Sequence, residues 1–121
     1  MNDVRKAILA AVSALAVLTA SPAFAAGSTT QKITLINLVG SSTVPYTVVL
    51  FDNPVSSSPA CAVQTAAMAI DSSTVRGKAQ LSLITAAFLA GKTVTLTGTG
   101  VCVTPAGFPY ATETVLYVGI L

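Results

Sequence analysis

Three patterns in this chain could carry chemistry. The stretch "AAFLAGKT", Ala86–Thr93, sets a small residue, then four others, before Gly91-Lys92-Thr93, the relaxed form of a phosphate-binding loop. The tripeptide "GTG" at Gly98–Gly100 is two-thirds of a dinucleotide fingerprint. Beyond residue 25 the carboxylates are Asp52, Asp71 and Glu113, and a glycosidase needs two of them facing each other. Asp52 stands beside Asn53-Pro54, where it suits a turn. Asp71 precedes Ser72-Ser73, where helix capping explains it, so Glu113 is left alone. The chain has no histidine, which removes any Ser-His or Cys-His dyad. Zinc wants Cys and His at short spacing, and Cys61 and Cys102, the only cysteines, lie far apart. The residue types point away from an enzyme, a metal site and a bound cofactor.

Whether either glycine pattern works depends on the elements that carry it. "AGSTTQ" reads as a flexible start. "KITLINLV" (Lys32–Val39) and "PYTVVLF" (Pro45–Phe51), rich in β-branched and aliphatic residues, predict two strands around a "GSST" turn. Asp52–Pro59 is loop chemistry. "CAVQTAAMAI" (Cys61–Ile70) predicts a third strand, although its alanines suit a helix as well. The period then changes: Gly77, Leu81, Ile84 and Phe88 form one helical stripe, flanked by Leu83 and Ala87. Lys78, Ser82, Thr85 and Leu89 fall on the opposite side. Ser73 or Thr74 is placed to cap the helix start, and Gly91 to end it in the left-handed conformation.

"KTVTLTGTG" (Lys92–Gly100) alternates, with Val94 and Leu96 on one face and Thr93, Thr95, Thr97 and Thr99 on the other. That is a half-buried strand with its threonines toward solvent. "VTPAGFPYAT" (Val103–Thr112) is a loop, and "ETVLYVGIL" (Glu113–Leu121) a closing strand. Five strands with a helix between the third and fourth is the layout of an OB-like Greek-key barrel, a mainly β fold with one helix.

This order rules against the phosphate loop. Such a loop needs a strand before it and a helix after it, whose positive end meets the anion. Here Ala86–Ala90 closes a helix and Thr93 starts a strand, so a phosphate at Lys92 would meet the negative end of the dipole. The pattern predicts a C-cap glycine followed by a cation, and no nucleotide. "GTG" likewise predicts a glycine kink or bulge that sets up Cys102.

The beginning of the chain predicts export. "MNDVRKAILAAVSALAVLTASPAFA" has basic Arg5 and Lys6, an apolar run from Ala7 to Leu18, and Ala23-Phe24-Ala25. That is a signal peptide over residues 1–25, cleaved after Ala25. Its apolar run is short for a membrane-spanning helix. Residues 26–121 form a single domain, periplasmic or extracellular, with no membrane span once the leader is removed. In it Lys32, Arg76, Lys78 and Lys92 stand against Asp52, Asp71 and Glu113, a net +1. Nucleic acid, which needs a clustered basic surface, is not an expected partner. A domain this small is marginal on burial alone, and an oxidising compartment lets a Cys61–Cys102 disulfide persist. Closing a loop of about 42 residues contributes roughly 4 kcal/mol in the chain-entropy description.

"ACAV" at Ala60–Val63, "RGKAQLSLITAAFLAGKTVTL" at Arg76–Leu96 and "GTGVC" at Gly98–Cys102 resemble a group of small exported bacterial proteins. That group is related in pattern to the B subunits of subtilase cytotoxin and typhoid toxin. The resemblance implies an OB-fold protomer that assembles with copies of itself, as a ring of five, and binds cell-surface glycans. It assigns no sugar-contacting residue here. Residue chemistry does rank candidates, because a ring covers the apolar face of a sugar while hydroxyls and amides bond its edge. Phe108 and Tyr110 in the loop and Tyr46 at the second strand are the candidate ligand-binding residues, with filling of the barrel ends as their alternative role. The threonine row offers a ligand or subunit surface, or a plain solvated face. The expected function is binding, with a glycan or a surface protein as the ligand, and the rival is a structural or accessory envelope protein without a small-molecule ligand.

Overall fold

The computed structural model describes residues 25–121, so the expected leader lies outside the described residues, Ala25 excepted. The order is β1 (Ser28–Gly40), β2 (Pro45–Phe51), β3 (Ala67–Asp71), α1 (Val75–Leu89), β4 (Thr93–Val103) and β5 (Thr112–Ile120). The fold is mainly β, a five-stranded mixed sheet with one helix between the third and fourth strands, as the patterning predicts. Among the described residues no helix is long and apolar enough to cross a membrane.

β1 serves two partners. Ser28–Lys32 pairs antiparallel with Thr97–Thr93 of β4, and Ile33–Gly40 pairs antiparallel with Phe51–Pro45 of β2. The partners change between Lys32 and Ile33, and a register shift follows at once between Ile33 and Leu35; such a bulge bends a strand from one neighbour to the next. The expected flexible start is therefore strand from Ser28 onward. Thr29 and Thr30 favour extended backbone, and β4 supplies the ladder. β2 also pairs with β3, and β4 with β5, both antiparallel. β3 and β5 meet in parallel at Ala69 and Thr114.

The third strand is shorter than its sequence suggests. Cys61–Ala66 forms turns and irregular backbone, and only Ala67–Asp71 is strand. The amides of Val63 and Gln64 both donate to the Ala111 carbonyl, at 2.9 and 3.1 Å. The Cys61–Cys102 disulfide holds this segment, with Cα atoms 6.0 Å apart. These tertiary ties, invisible to periodicity, override the strand pattern of "CAV".

Two apolar clusters follow. Ile33, Val49, Phe51, Met68, Ile70, Val94, Leu96 and Val115 gather with Ile84 and Ala87 of α1 in the main core. Val48, Ala67 and Ala69 form the second, covered by Val39, Tyr46, Leu50, Val103 and Phe108. The β4–β5 connection lies over this second cluster, where the Gly40 amide donates to the Ala106 carbonyl at 2.6 Å. With both faces covered, successive residues Thr47, Val48 and Val49 are all buried, so β2 lacks the alternation of a half-exposed strand.

The helix sits on the core along a slightly different line from the expected stripe. Gly77, Ile84 and Ala87 are buried, while Phe88 is 39% and Leu83 46% exposed. Small residues on the contact line let the backbones approach. A Cβ on Gly77 would overlap the carbonyl of Asp71. Thr74 is the N-cap and its Oγ1 accepts from the Gly77 amide at 2.9 Å. Gly91 has φ +63°, and the Lys92 amide donates back to the Ala87 carbonyl at 2.9 Å. That is a glycine-terminated helix end, and "AGKT" is spent on it.

Candidate functional site

A cleft of about 240 Å³ opens where β2, β3, β5 and the start of α1 converge, lined by Tyr46, Ala69, Asp71, Thr74, Arg76, Gly77, Gln80, Thr114 and Val115. Register explains the gathering. Tyr46 at the start of β2 faces Asp71 at the end of β3. Asp71 leads through Ser72 and Ser73 into the Thr74 cap, so the first turns of α1 must begin at the same edge. The close seat of Gly77 against Asp71 brings Arg76 and Gln80, one turn apart on the same side of α1, to line the cleft. β5 closes the remaining wall through Thr114, opposite Ala69.

Each polar group has a defined anchor. Asp71 Oδ1 accepts from the Ser73 amide at 3.0 Å, while Thr74, not Asp71, caps the helix. The Arg76 guanidinium lies 5.9 Å from the centroid of the Tyr117 ring, within cation–π range. Gln80 donates from Nε2 to the Leu116 carbonyl at 3.1 Å, which fixes the amide. Thr114 donates to the Val101 carbonyl at 3.1 Å. The cleft thus carries one aromatic ring, one cation, one carboxylate and one fixed amide around a small apolar floor. Among the described residues no three His, Cys, Asp or Glu side chains converge as metal ligands.

The three expected ligand-binding residues separate. Tyr46 lines the cleft and also packs on the second cluster. Phe108 is half-buried against the second cluster, a packing role. Tyr110 meets it edge-on, with centroids 5.9 Å apart at 79°, and is 50% exposed. In the threonine row of β4, Thr93, Thr95 and Thr97 are half-buried and Thr99 is exposed, and two are paired across strands: Thr95 Oγ1 bonds Thr30 Oγ1 at 3.2 Å, and Thr99 Oγ1 bonds Thr114 Oγ1. The residues that sequence reasoning missed are Arg76, Gln80 and Thr114. They come from distant segments, and only strand register brings them to Tyr46.

Glu113 is a second unanticipated feature. It is 2% exposed and lies in phase with Val115 of the core. Both carboxylate oxygens accept from the Gly27 amide, at 3.1 and 3.0 Å, and Oε2 accepts from the Gly100 amide at 2.8 Å. A Cβ on Gly98 would overlap this carboxylate, and one on Gly27 would approach Oε1 to 2.5 Å. The first glycine of "GTG" therefore clears space for Glu113, and the last supplies an amide to it. The expected bulge is also present, as the β4–β5 register shifts at Gly98.

Compared with known protein families, curated proteins and solved structures, the chain finds no match.

Proposed function

We propose that this chain is an exported, non-catalytic binding protein whose cleft at Tyr46 takes a small polar ligand of the sugar class. The observation that carries the reading is the cleft itself. An aromatic ring stands in one wall, and Asp71, Arg76 and Gln80 offer an acceptor, a donor and a fixed amide around it. A sugar presents matching features, an apolar face and a rim of hydroxyls. The resemblance to toxin B subunits implies the same ligand class. No nucleophile–base pair belongs to the cleft, and binding chemistry is what its groups supply.

Three further parts belong to this reading. The sheet closes into an OB-type barrel, supported by β1 pairing with both β2 and β4 and by the β3–β5 contact. Cleavage after Ala25 releases the domain to the periplasm or beyond, and the Cys61–Cys102 disulfide fits such an oxidising compartment. Copies assemble into a ring of five, which suits the exposure of large apolar residues such as Leu38, Tyr117 and Leu121.

The test is binding to immobilised glycans. The wild-type protein is expected to be retained by a defined subset, and Tyr46→Ala and Arg76→Ala to weaken retention about tenfold or more, Arg76→Ala with an unchanged unfolding midpoint. Tenfold corresponds to about 1.4 kcal/mol, the scale of one lost charged hydrogen bond. An empty array would favour the envelope-protein function instead.

A further inference from the structure

The buried Glu113 carboxylate is held by backbone amides of Gly27 and Gly100. Among the described residues no lysine or arginine side chain donates to it. Amides satisfy its lone pairs but bring no full countercharge, and a buried charge without one is costly. The carboxylate is also very close to one particular place in the chain. Gly27 is the second residue after the Ala25–Ala26 bond, so the nitrogen of Ala26 is one peptide unit from an amide already bonded to Glu113. The carbonyl of Ala25 rests beside Gly100, where a Cβ would come within 3.1 Å of it. Gly100 is the other residue whose amide holds the carboxylate.

We infer that Glu113 is the receptor for the amino terminus created by leader removal. This rests on the cleavage after Ala25 that belongs to the proposed export. Hydrolysis of the Ala25–Ala26 bond by a signal peptidase consumes one water and leaves a carboxylate on the departing Ala25 and an ammonium on Ala26. Departure of Ala25 clears its carbonyl from beside Gly100. The new ammonium turns into that space and donates to Glu113, supplying the countercharge that the carboxylate lacks. Gly27, Gly98 and Gly100 are needed as glycines because side chains at the first two would meet the carboxylate, while Gly100 holds φ +80°. Processing then does more than release the domain. It ties β1 to the β4–β5 pair through an ion pair, so the mature fold is more stable than the precursor.

The test uses the full chain with a specific protease site built over residues 20–25, so that cleavage exposes Ala26. Urea unfolding is measured before and after cleavage, for the wild type and for Glu113→Gln. The expected result is a folded-to-unfolded ratio that rises about tenfold on cleavage, the scale of a charge-assisted hydrogen bond, and does not rise in Glu113→Gln. A second chain, cut one residue earlier so that Ala25 remains, is expected to gain nothing. This control stands even where Glu113→Gln fails to fold. Equal ratios before and after exposure of Ala26, or an equal gain with Ala25 retained, would overturn the capture. Sequencing the amino terminus of the exported protein tests the leader separately: a terminus other than Ala26 would overturn the cleavage, whatever the unfolding experiment gives.

Discussion

At the scale of single residues, one buried side-chain polar atom among the described residues is left unsatisfied. Thr47 is fully buried, and its hydroxyl has no hydrogen-bond partner among the described residues. Burying an unpaired hydroxyl costs about 1–3 kcal/mol, and valine has the same shape without it. Thr47→Val is therefore expected to raise stability by about 1 kcal/mol in urea unfolding, and a loss of that size would show that the hydroxyl is paired. Sequence inspection passes over Thr47, because threonine in a strand is ordinary. Tyr46 was legible as a candidate because a ring at a strand start is conspicuous. Its neighbours Arg76 and Gln80 were not, since no spacing rule links a strand start to the first turns of a helix. Glu113 carried a faint signal, a single charge in phase with core-facing Val115, but its partners Gly27 and Gly100 lie in other segments.

At the scale of elements, composition and period located the helix and three of the strands well, and tertiary ties account for the early start of β1 and the short β3. Capping and termination were readable because they are local: Thr74 and Gly91 act within one turn of their own helix. The third strand was over-extended because nothing local reports that Cys61–Ala66 is drawn toward Cys102 and Ala111. The helix line was misplaced because the size of Phe88 outweighed Ala87 in the pattern, whereas close packing on the sheet favours the smaller residue. Gly77 tests that seat. Alanine brings about 1 kcal/mol of helix propensity over glycine, but its Cβ would overlap a backbone carbonyl that cannot rotate away. Overpacking of this kind costs about 1–3 kcal/mol. Gly77→Ala is expected to lower stability by about 1 kcal/mol net, and a gain would contradict the close approach of α1 to β3.

At the scale of the whole molecule, the disulfide connects the segment before β3 to the end of β4, and so encloses β3, α1 and most of β4 in one covalent loop. Assembly is the property that the exposed apolar surface bears on. Light scattering of the non-reduced protein after size exclusion is expected to give a species near five chains, and a clean monomer would contradict the ring. Binding stands above assembly, since a monomer can also hold a sugar. The most direct measurement is retention on a glycan array by the wild type beside Tyr46→Ala and Arg76→Ala. Retention of a defined glycan set, lost in both variants, is the expected result. No retention, or retention untouched by either substitution, would contradict a sugar site in the Tyr46 cleft.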